Sequence, residues 1–211
     1  MLEDTEQSAH AAALPPPVLY NLPDEIVRQR IFLRPYRPGD GAALWEAVEE
    51  SREHLRPWLP WTDTYRTPND AEASARRFQA RWILREDMVV GVWDRASGRF
   101  VGGAGLHPAE WDVPSFEIGY WLRVSAQGFG YITDAAQALC GLAFDTFSAN
   151  RVFIRCDARN QRSANVARRL GFTHEATFRN EARNTAGELR DTLYFGLTPQ
   201  QHAQLRGDYT G

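Results

Sequence analysis

Apolar positions recur with a period of two in some stretches and with helical spacing in others, and the two kinds of stretch interleave along the chain. Ile31 and Leu33 alternate with polar neighbours and stop at Pro35, which predicts a first strand starting near Ile26. Pro38-Gly39-Asp40 opens a helix whose apolar members Leu44, Trp45 and Val48 share a face, and a short second helix is predicted over 51–55. The segment His54-Leu55-Arg56-Pro57-Trp58-Leu59-Pro60-Trp61 follows. Each of its prolines removes a backbone donor and restricts the residue before it, so an ordered loop is expected. Asn69 or Asp70 can cap a third helix that carries Ala71, Ala75, Phe78 and Trp82 on one side.

The period then changes. Met88 to Trp93, a turn at Asp94 to Gly98, and Phe100 to Leu106 give a hairpin signal. Phe116, Ile118, Tyr120 and Leu122 alternate with Glu117, Gly119, Trp121 and Arg123 as a fourth strand. Gly128-Phe129-Gly130 leads into the clearest helix, carrying Ile132, Ala135, Ala136, Leu139, Cys140, Ala143, Phe144 and Phe147. Val152, Ile154 and Cys156 form a fifth strand, Asn160 to Leu170 a helix, and 172–178 and 189–197 two last strands. Thr198-Pro199-Gln200-Gln201 has a capping threonine, a proline at the first helical position and a glutamine three residues after the cap, so a terminal helix is predicted. The order implies an α/β (α+β) chain with one mixed, mostly antiparallel sheet of about seven strands and one interior helical crossover. Residues 1–20, alanine-rich and ending in Pro15-Pro16-Pro17, are expected to form a mobile extension; 21–203 form one domain and 204–211 a tail.

Composition narrows the chemistry. All 24 basic residues of the 211-residue chain are arginine, so there is no lysine for a pyridoxal Schiff base, a P-loop or a kinase strand. Cys140 and Cys156 cannot make a four-thiolate zinc site, and no metal is expected. A formal charge of -3 gives no global case for nucleic-acid binding. The N-terminus is acidic where a secretory leader would be basic, and no apolar run approaches the roughly 18 residues of a membrane span. A soluble cytoplasmic protein is the expectation.

The chemistry-bearing unit is the strand 116–122 followed by Gln127-Gly128-Phe129-Gly130 at a helix start. Glycines there let the backbone approach a ligand, and the first-turn N–H groups of the helix offer partial positive charge to a phosphate. The same glycines can serve merely as a tight strand-to-helix turn. A dinucleotide-binding fingerprint would need glycine where Thr133 stands. Asn160-Gln161-Arg162-Ser163 begins a second helix ending at Gly171, and the order of elements opens both helix N-termini on the same sheet edge.

These residues carry a resemblance. Ser51 to Trp61, Glu117-Ile118-Gly119-Tyr120-Trp121-Leu122, Gln127-Gly128-Phe129-Gly130-Tyr131 and Asn160 to Phe172 resemble, in family order, the GNAT acetyl-coenzyme A dependent N-acetyltransferases, within them the RimJ/RimL group that acetylates N-terminal amines of ribosomal proteins. The resemblance implies the GNAT acyltransferase fold with splayed central strands. It also implies acetyl-CoA as cosubstrate, with the pantetheine arm paired like an added strand to backbone groups at Leu122, Arg123 and Val124. The pyrophosphate would sit on the amides of Gln127, Gly128, Phe129, Gly130 and Tyr131, with Asn160 on the arm. Arg123, Arg162 and Arg168 are arginines able to reach phosphate oxygens, or are surface charges.

The sequence departs from the family at two positions. Ser125 stands where a glutamine or arginine is usual, and Ala167 replaces the tyrosine that protonates the leaving thiolate. Ser163, one turn earlier, is the remaining candidate for that role or simply a helix-cap residue; a thiol of pKa about 8.5 leaves readily and needs only a hydrogen bond. Glu117 is the candidate base for the acceptor amine, or a structural, salt-bridged glutamate. A strand N–H near Leu122 would stabilise the oxyanion. His54, Trp58 and Trp61, with the hairpin at Arg183 and Asn184, would form the acceptor pocket, although each tryptophan also reads as core. His107 and His174 read as structural histidines. The acceptor is expected to be a protein N-terminus. A small amine such as a polyamine, amino acid or aminoglycoside, and a non-catalytic acyl-CoA-binding module, remain as alternatives, and a homodimer is compatible with either.

Overall fold

A computed structural model describes residues 14–208. Its strands are β1 (Ile26–Val27), β2 (Ile31–Pro35), β3 (Met88–Asp94), β4 (Phe100–Glu110), β5 (Ser115–Leu122), β6 (Arg151–Asp157), β7 (Thr173–Arg183) and β8 (Leu189–Leu197). Its helices are α1 (Gly41–Leu55), α2 (Pro68–Leu84), α3 (Tyr131–Gly141), α4 (Gln161–Arg169) and α5 (Pro199–Asp208). The strands form one sheet in the order β1-β2-β3-β4-β5-β6-β8-β7, antiparallel throughout except for the β5–β6 pair, which α3 connects. The expected mixed fold is present with eight strands instead of seven, because Arg28 to Arg30 interrupt the first predicted strand and β1 folds back on β2 as a separate two-residue strand.

Local chemistry accounts for most boundaries. The predicted short helix over 51–55 is the end of α1: Ser51 and Leu55 continue its buried face, and the helix stops only where Pro57 approaches. The cap of α2 is Thr67, three residues ahead of Asp70, in a reciprocal capping box with Pro68 at the first helical position. Of the extension predicted over 1–20, residues 1–13 lie outside the described residues. Pro17–Leu19 form a 3-10 turn, and Tyr20 packs edge-on against Phe147, so the chain joins the fold before position 21. Helix α5 likewise runs through part of the segment expected to be a tail.

The sheet separates two cores. Ile118, Leu106 and Val152 meet Ala135, Leu139 and Ala167 of α3 and α4 on one side. Tyr36, Trp93 and Phe100 meet Leu44, Val48, Ala71 and Ala75 of α1 and α2 on the other. Strand alternation therefore sends Tyr120 and Leu122 toward α3 and α4, and Trp121 toward α1 and α2.

A buried cation ties α1 to the end of β5. Arg123 is 2% exposed; its Nε donates to Glu50 Oε2 at 2.8 Å, Nη2 to Glu46 Oε1 at 2.7 Å and Nη1 to Phe100 O at 3.2 Å. Its hydrogen bonds hold the Glu50 carboxyl down to about 2, against an ordinary value of 4.5. Because the folded value is depressed, this stabilisation is complete above pH 4.5 and is lost as pH falls toward 2. Glu50→Gln is expected to cost about 2 kcal/mol at neutral pH, less than the ~3–5 kcal/mol for breaking a fully buried pair because Glu46 remains. In urea denaturation the gap to wild type should close between pH 4.5 and 2, and a gap that ignores pH refutes the assignment.

Candidate active site

Strands β5 and β6 run parallel but pair only at Ser115↔Arg151, Phe116↔Val152 and Glu117↔Phe153. Beyond Glu117, β5 continues along β4 to Leu122 while β6 continues along β8 to Asp157, and a gap opens between them. Arg123 N–H donates to Val101 O on the β4 side at 2.9 Å. The two-residue alternation of a strand then turns the N–H and C=O groups of Tyr120 and Leu122 into the gap, where β6 no longer meets them.

The gap widens into a cleft of about 770 Å³. Gly128 and Gly130 have φ of +86° and +79°, a left-handed backbone that favours glycine, and Gly130 is the residue from which α3 starts. Among the described residues the N–H groups of Gly128 and of Gly130 to Thr133 meet no acceptor, so a helix tip and its preceding loop present free donors. The second helix tip stands opposite: Asn160 Oδ1 accepts from Ser163 N at 3.1 Å and caps α4. Unpaired amides at a helix start suit a pyrophosphate, and an unpaired strand edge suits an amide-bearing arm.

Side chains cross this cleft. Gln127 Nε2 donates to His54 Nε2 at 2.7 Å, and Gln127 Oε1 accepts from Arg162 Nη1 at 2.8 Å. Burial, and then the charge of Arg162, lower the His54 pKa, in keeping with a neutral ring that accepts. Deeper in, the Tyr120 hydroxyl lies 3.0 Å from Ser163 Oγ and donates to Ser163 O at 3.2 Å. Burial raises the Tyr120 pKa far above the ordinary value, so the phenol stays protonated and serves as a donor. Burial also raises the neighbouring Cys156, which is a thiol and no nucleophile.

A second cavity, of about 490 Å³, lies on the α1 and α2 side of the sheet. Tyr36, Trp61, Tyr65 and Phe78 give it aromatic walls, and Asp87 and His107 are its ionisable side chains besides the tyrosines. The two cavities share Tyr120 and Trp121.

The structure brings Leu122, Gln127, Gly128, Gly130, Tyr131, Asn160 and Ser163 together on the first cleft, and puts His54 and Trp58 there as well. Trp61 instead lines the second cavity, edge-on to both Tyr65 and Trp121. Phe129 stands outside on the rim, stacked on Tyr131 with ring centroids 5.7 Å apart. Val124 N–H is occupied by Ser51 Oγ at 2.9 Å. Arg123 turns away to Glu46 and Glu50, and Arg168 turns to Asn165 and the Phe195 ring, whereas Arg162 and Arg169 line the cleft. Glu117 lines neither cavity; its Oε2 accepts from Arg155 Nη2 at 2.6 Å, bracing the strands where they part. Arg183 and Asn184 close the β7–β8 turn on their own backbone. The sequence reading assigns Tyr120 to the fourth strand without a chemical role, takes His107 for a structural histidine and does not single out Asp87. The alternation of β5 already put Tyr120 on the same side as the glycine loop, but nothing local announced its partner.

Comparison with known proteins gives this geometry a family. A family model described as "Acetyltransferase (GNAT) domain" matches residues 30–173. The chain is 42% identical over 153 residues to the ribosomal-protein-serine acetyltransferase of Escherichia coli, covering 66% of this chain and 79% of that protein. Among solved structures, it superposes with a TM-score of 0.78 on the microcin C7 self-immunity acetyltransferase MccE in complex with acetyl-CoA and AMP, at 19% identity over 84% of this chain and 97% of that one. It superposes with a TM-score of 0.75 on RimL, a ribosomal L7/L12 α-N-protein acetyltransferase in complex with coenzyme A, at 22% identity over 82% and 96%. The chain belongs to the GNAT acetyltransferases, and the expectation of fold and enzyme class raised by its four motifs is met.

Gly128→Val tests the helix-tip amides. A built Cβ at Gly128 meets nothing within 4 Å, so packing is spared while the left-handed backbone is penalised. At ~1–2 kcal/mol for a left-handed non-glycine residue, calorimetry should show acetyl-CoA binding weakened about 5- to 30-fold. Unchanged affinity would remove the loop from the coenzyme site.

Proposed function

We propose that this enzyme transfers the acetyl group of acetyl-CoA to the N-terminal α-amino group of a protein. The observation that carries the reading is the pair of cavities on opposite faces of the sheet, meeting at Tyr120 and Trp121 where β5 has lost its partner. Donor and acceptor can enter from opposite sides and meet at one strand edge, which is the orientation that acyl transfer requires. The E. coli relative named for ribosomal-protein serine and the RimL neighbour support a protein acceptor. A polycationic amine would call for an acidic lining, yet the one carboxylate on the second cavity, Asp87, is already engaged by His107 and stands 3.7 Å from Arg81. Cytoplasmic residence belongs to the same reading and is supported by Cys140 and Cys156, both free thiols. Among the described residues no helix is long and apolar enough to cross a membrane.

The chain's groups then take the following parts. The loop 127–131 and the tip of α3 hold the pyrophosphate, with Arg162 and Arg169 available to its oxygens. Asn160 and the free backbone edge at Tyr120 and Leu122 hold the pantetheine arm, and a strand N–H in the gap donates to the acetyl carbonyl oxygen as charge develops on it. Tyr120 and Ser163 together stand in for the tyrosine missing at Ala167: the phenol, kept neutral by burial, donates toward the departing sulfur through or beside the serine hydroxyl.

Thiol release from acetyl-CoA, measured against peptides with different N-termini and a set of small amines, tests the acceptor. Release with peptides supports the proposal; release with small amines alone replaces it, and binding without release on any acceptor leaves an acyl-CoA-binding module. In the active system Tyr120→Phe should lower kcat about 10- to 100-fold with little change in the KM for acetyl-CoA, and Ser163→Ala should lower it less. Equal activity of both variants and wild type would exclude the pair from the reaction.

A further inference from the structure

Building on the acetyl-transfer reading, we propose that His107, oriented by Asp87, is the base that takes the proton from the acceptor amine. His107 Nδ1 lies 2.5 Å from Asp87 Oδ1. A carboxylate can only accept, so it holds the ring proton on Nδ1 and leaves the lone pair on Nε2. Nε2 has no partner among the described residues, and the ring forms part of the second cavity's wall.

The ring's position is built by two glycines. His107 projects from β4 on the α1 and α2 face and lies back over Gly105 of its own strand and over Gly119 of β5, which are register partners. A Cβ on Gly105 would come within 2.7 Å of His107 Nε2, and one on Gly119 within 2.9 Å. Glycine at both positions lets an imidazole lie flat on the sheet with Nε2 above Gly119. Gly119 immediately precedes Tyr120 and lies two residues beyond the last β5–β6 pair. A free ring nitrogen thus stands on the acceptor side of the same backbone edge whose opposite side faces the donor cleft. Glu117, the cross-strand neighbour of His107, is taken up by Arg155 and lines neither cavity. The other charged or titratable groups around the ring are Arg81 of α2 beyond Asp87, and the phenols of Tyr36 and Tyr65; the Tyr120 phenol lies on the other face of β5, against Ser163.

The step balances. The amine lone pair bonds to the acetyl carbon and the C–S electron pair leaves with sulfur. The proton on nitrogen passes to His107 Nε2. The thiolate takes a proton through the Tyr120 and Ser163 hydroxyls, which recover it from solvent as His107 releases its own to water.

The test uses the full chain, acetyl-CoA and a peptide acetylated by wild type. His107→Gln is expected to lower kcat about 100-fold or more, with acetyl-CoA affinity within twofold of wild type and the acidic limb of the pH–rate profile removed or displaced. Asp87→Asn, a change at a positioning residue, should cost about tenfold and shift the same limb. His107→Ala should regain activity when free imidazole is added, which a purely structural histidine would not show. His107→Gln turning over like an active wild type, or a loss confined to Glu117→Gln, overturns the base assignment alone. A wild-type chain that binds acetyl-CoA but acetylates no amine overturns the parent reading and this one together.

Discussion

Two neighbouring strands run in the same direction and stay paired for only three residues, and the site exists because they then part. A backbone edge stripped of its partner and held inside a protein must find other hydrogen bonds, since leaving such groups dry and unpaired costs free energy comparable to a lost hydrogen bond. Here the edge at Tyr120 and Leu122 opens on a cleft large enough for a ligand arm to act as the missing strand. The fork is held from both sides. Glu117 and Arg155 clamp its root, while Arg123, buried between Glu46 and Glu50, fastens the far end of β5 to α1. A sheet that closed over this gap would gain backbone hydrogen bonds and lose the site.

The alternation of side chains along β5 divides the labour. Tyr120 reaches toward α4 and meets Ser163, whereas Gly119 and Trp121 face the opposite cavity, where His107 lies against the strand. In the proposed reaction, proton donation to sulfur and proton removal from nitrogen fall on opposite faces of one strand, separated by the thickness of a backbone.

The site offered to a phosphate rests on backbone conformation more than on side-chain charge. The chain contains no lysine, and two of its three arginines expected near the coenzyme are committed elsewhere, Arg123 to carboxylates and Arg168 to Asn165 and an aromatic face. The donors that remain free are amides of the glycine loop and the first turn of α3, joined by Arg162 and Arg169. Amides fixed by a left-handed glycine backbone need no side-chain ordering to bind a ligand.

What the amino-acid order determined by itself was everything with a short range. The alternation of 116–122, the glycine turn before α3, the asparagine cap of α4 and the threonine-proline start of α5 depend on neighbours within a few positions, and they emerged as read. Boundaries slipped where a distant surface decided them, as when burial of Ser51 and Leu55 carried α1 through a predicted break. Side-chain partnerships were decided only by the tertiary structure. Arg123 finds carboxylates more than seventy positions earlier, Tyr120 finds a serine in the first turn of α4, and His107 meets Asp87 one step beyond the Met88↔Leu106 pair of the β3–β4 hairpin. Backbone preference is set by local sterics, but which charged or polar groups meet is set by how whole elements pack, and no stretch of sequence carries that distance information on its own.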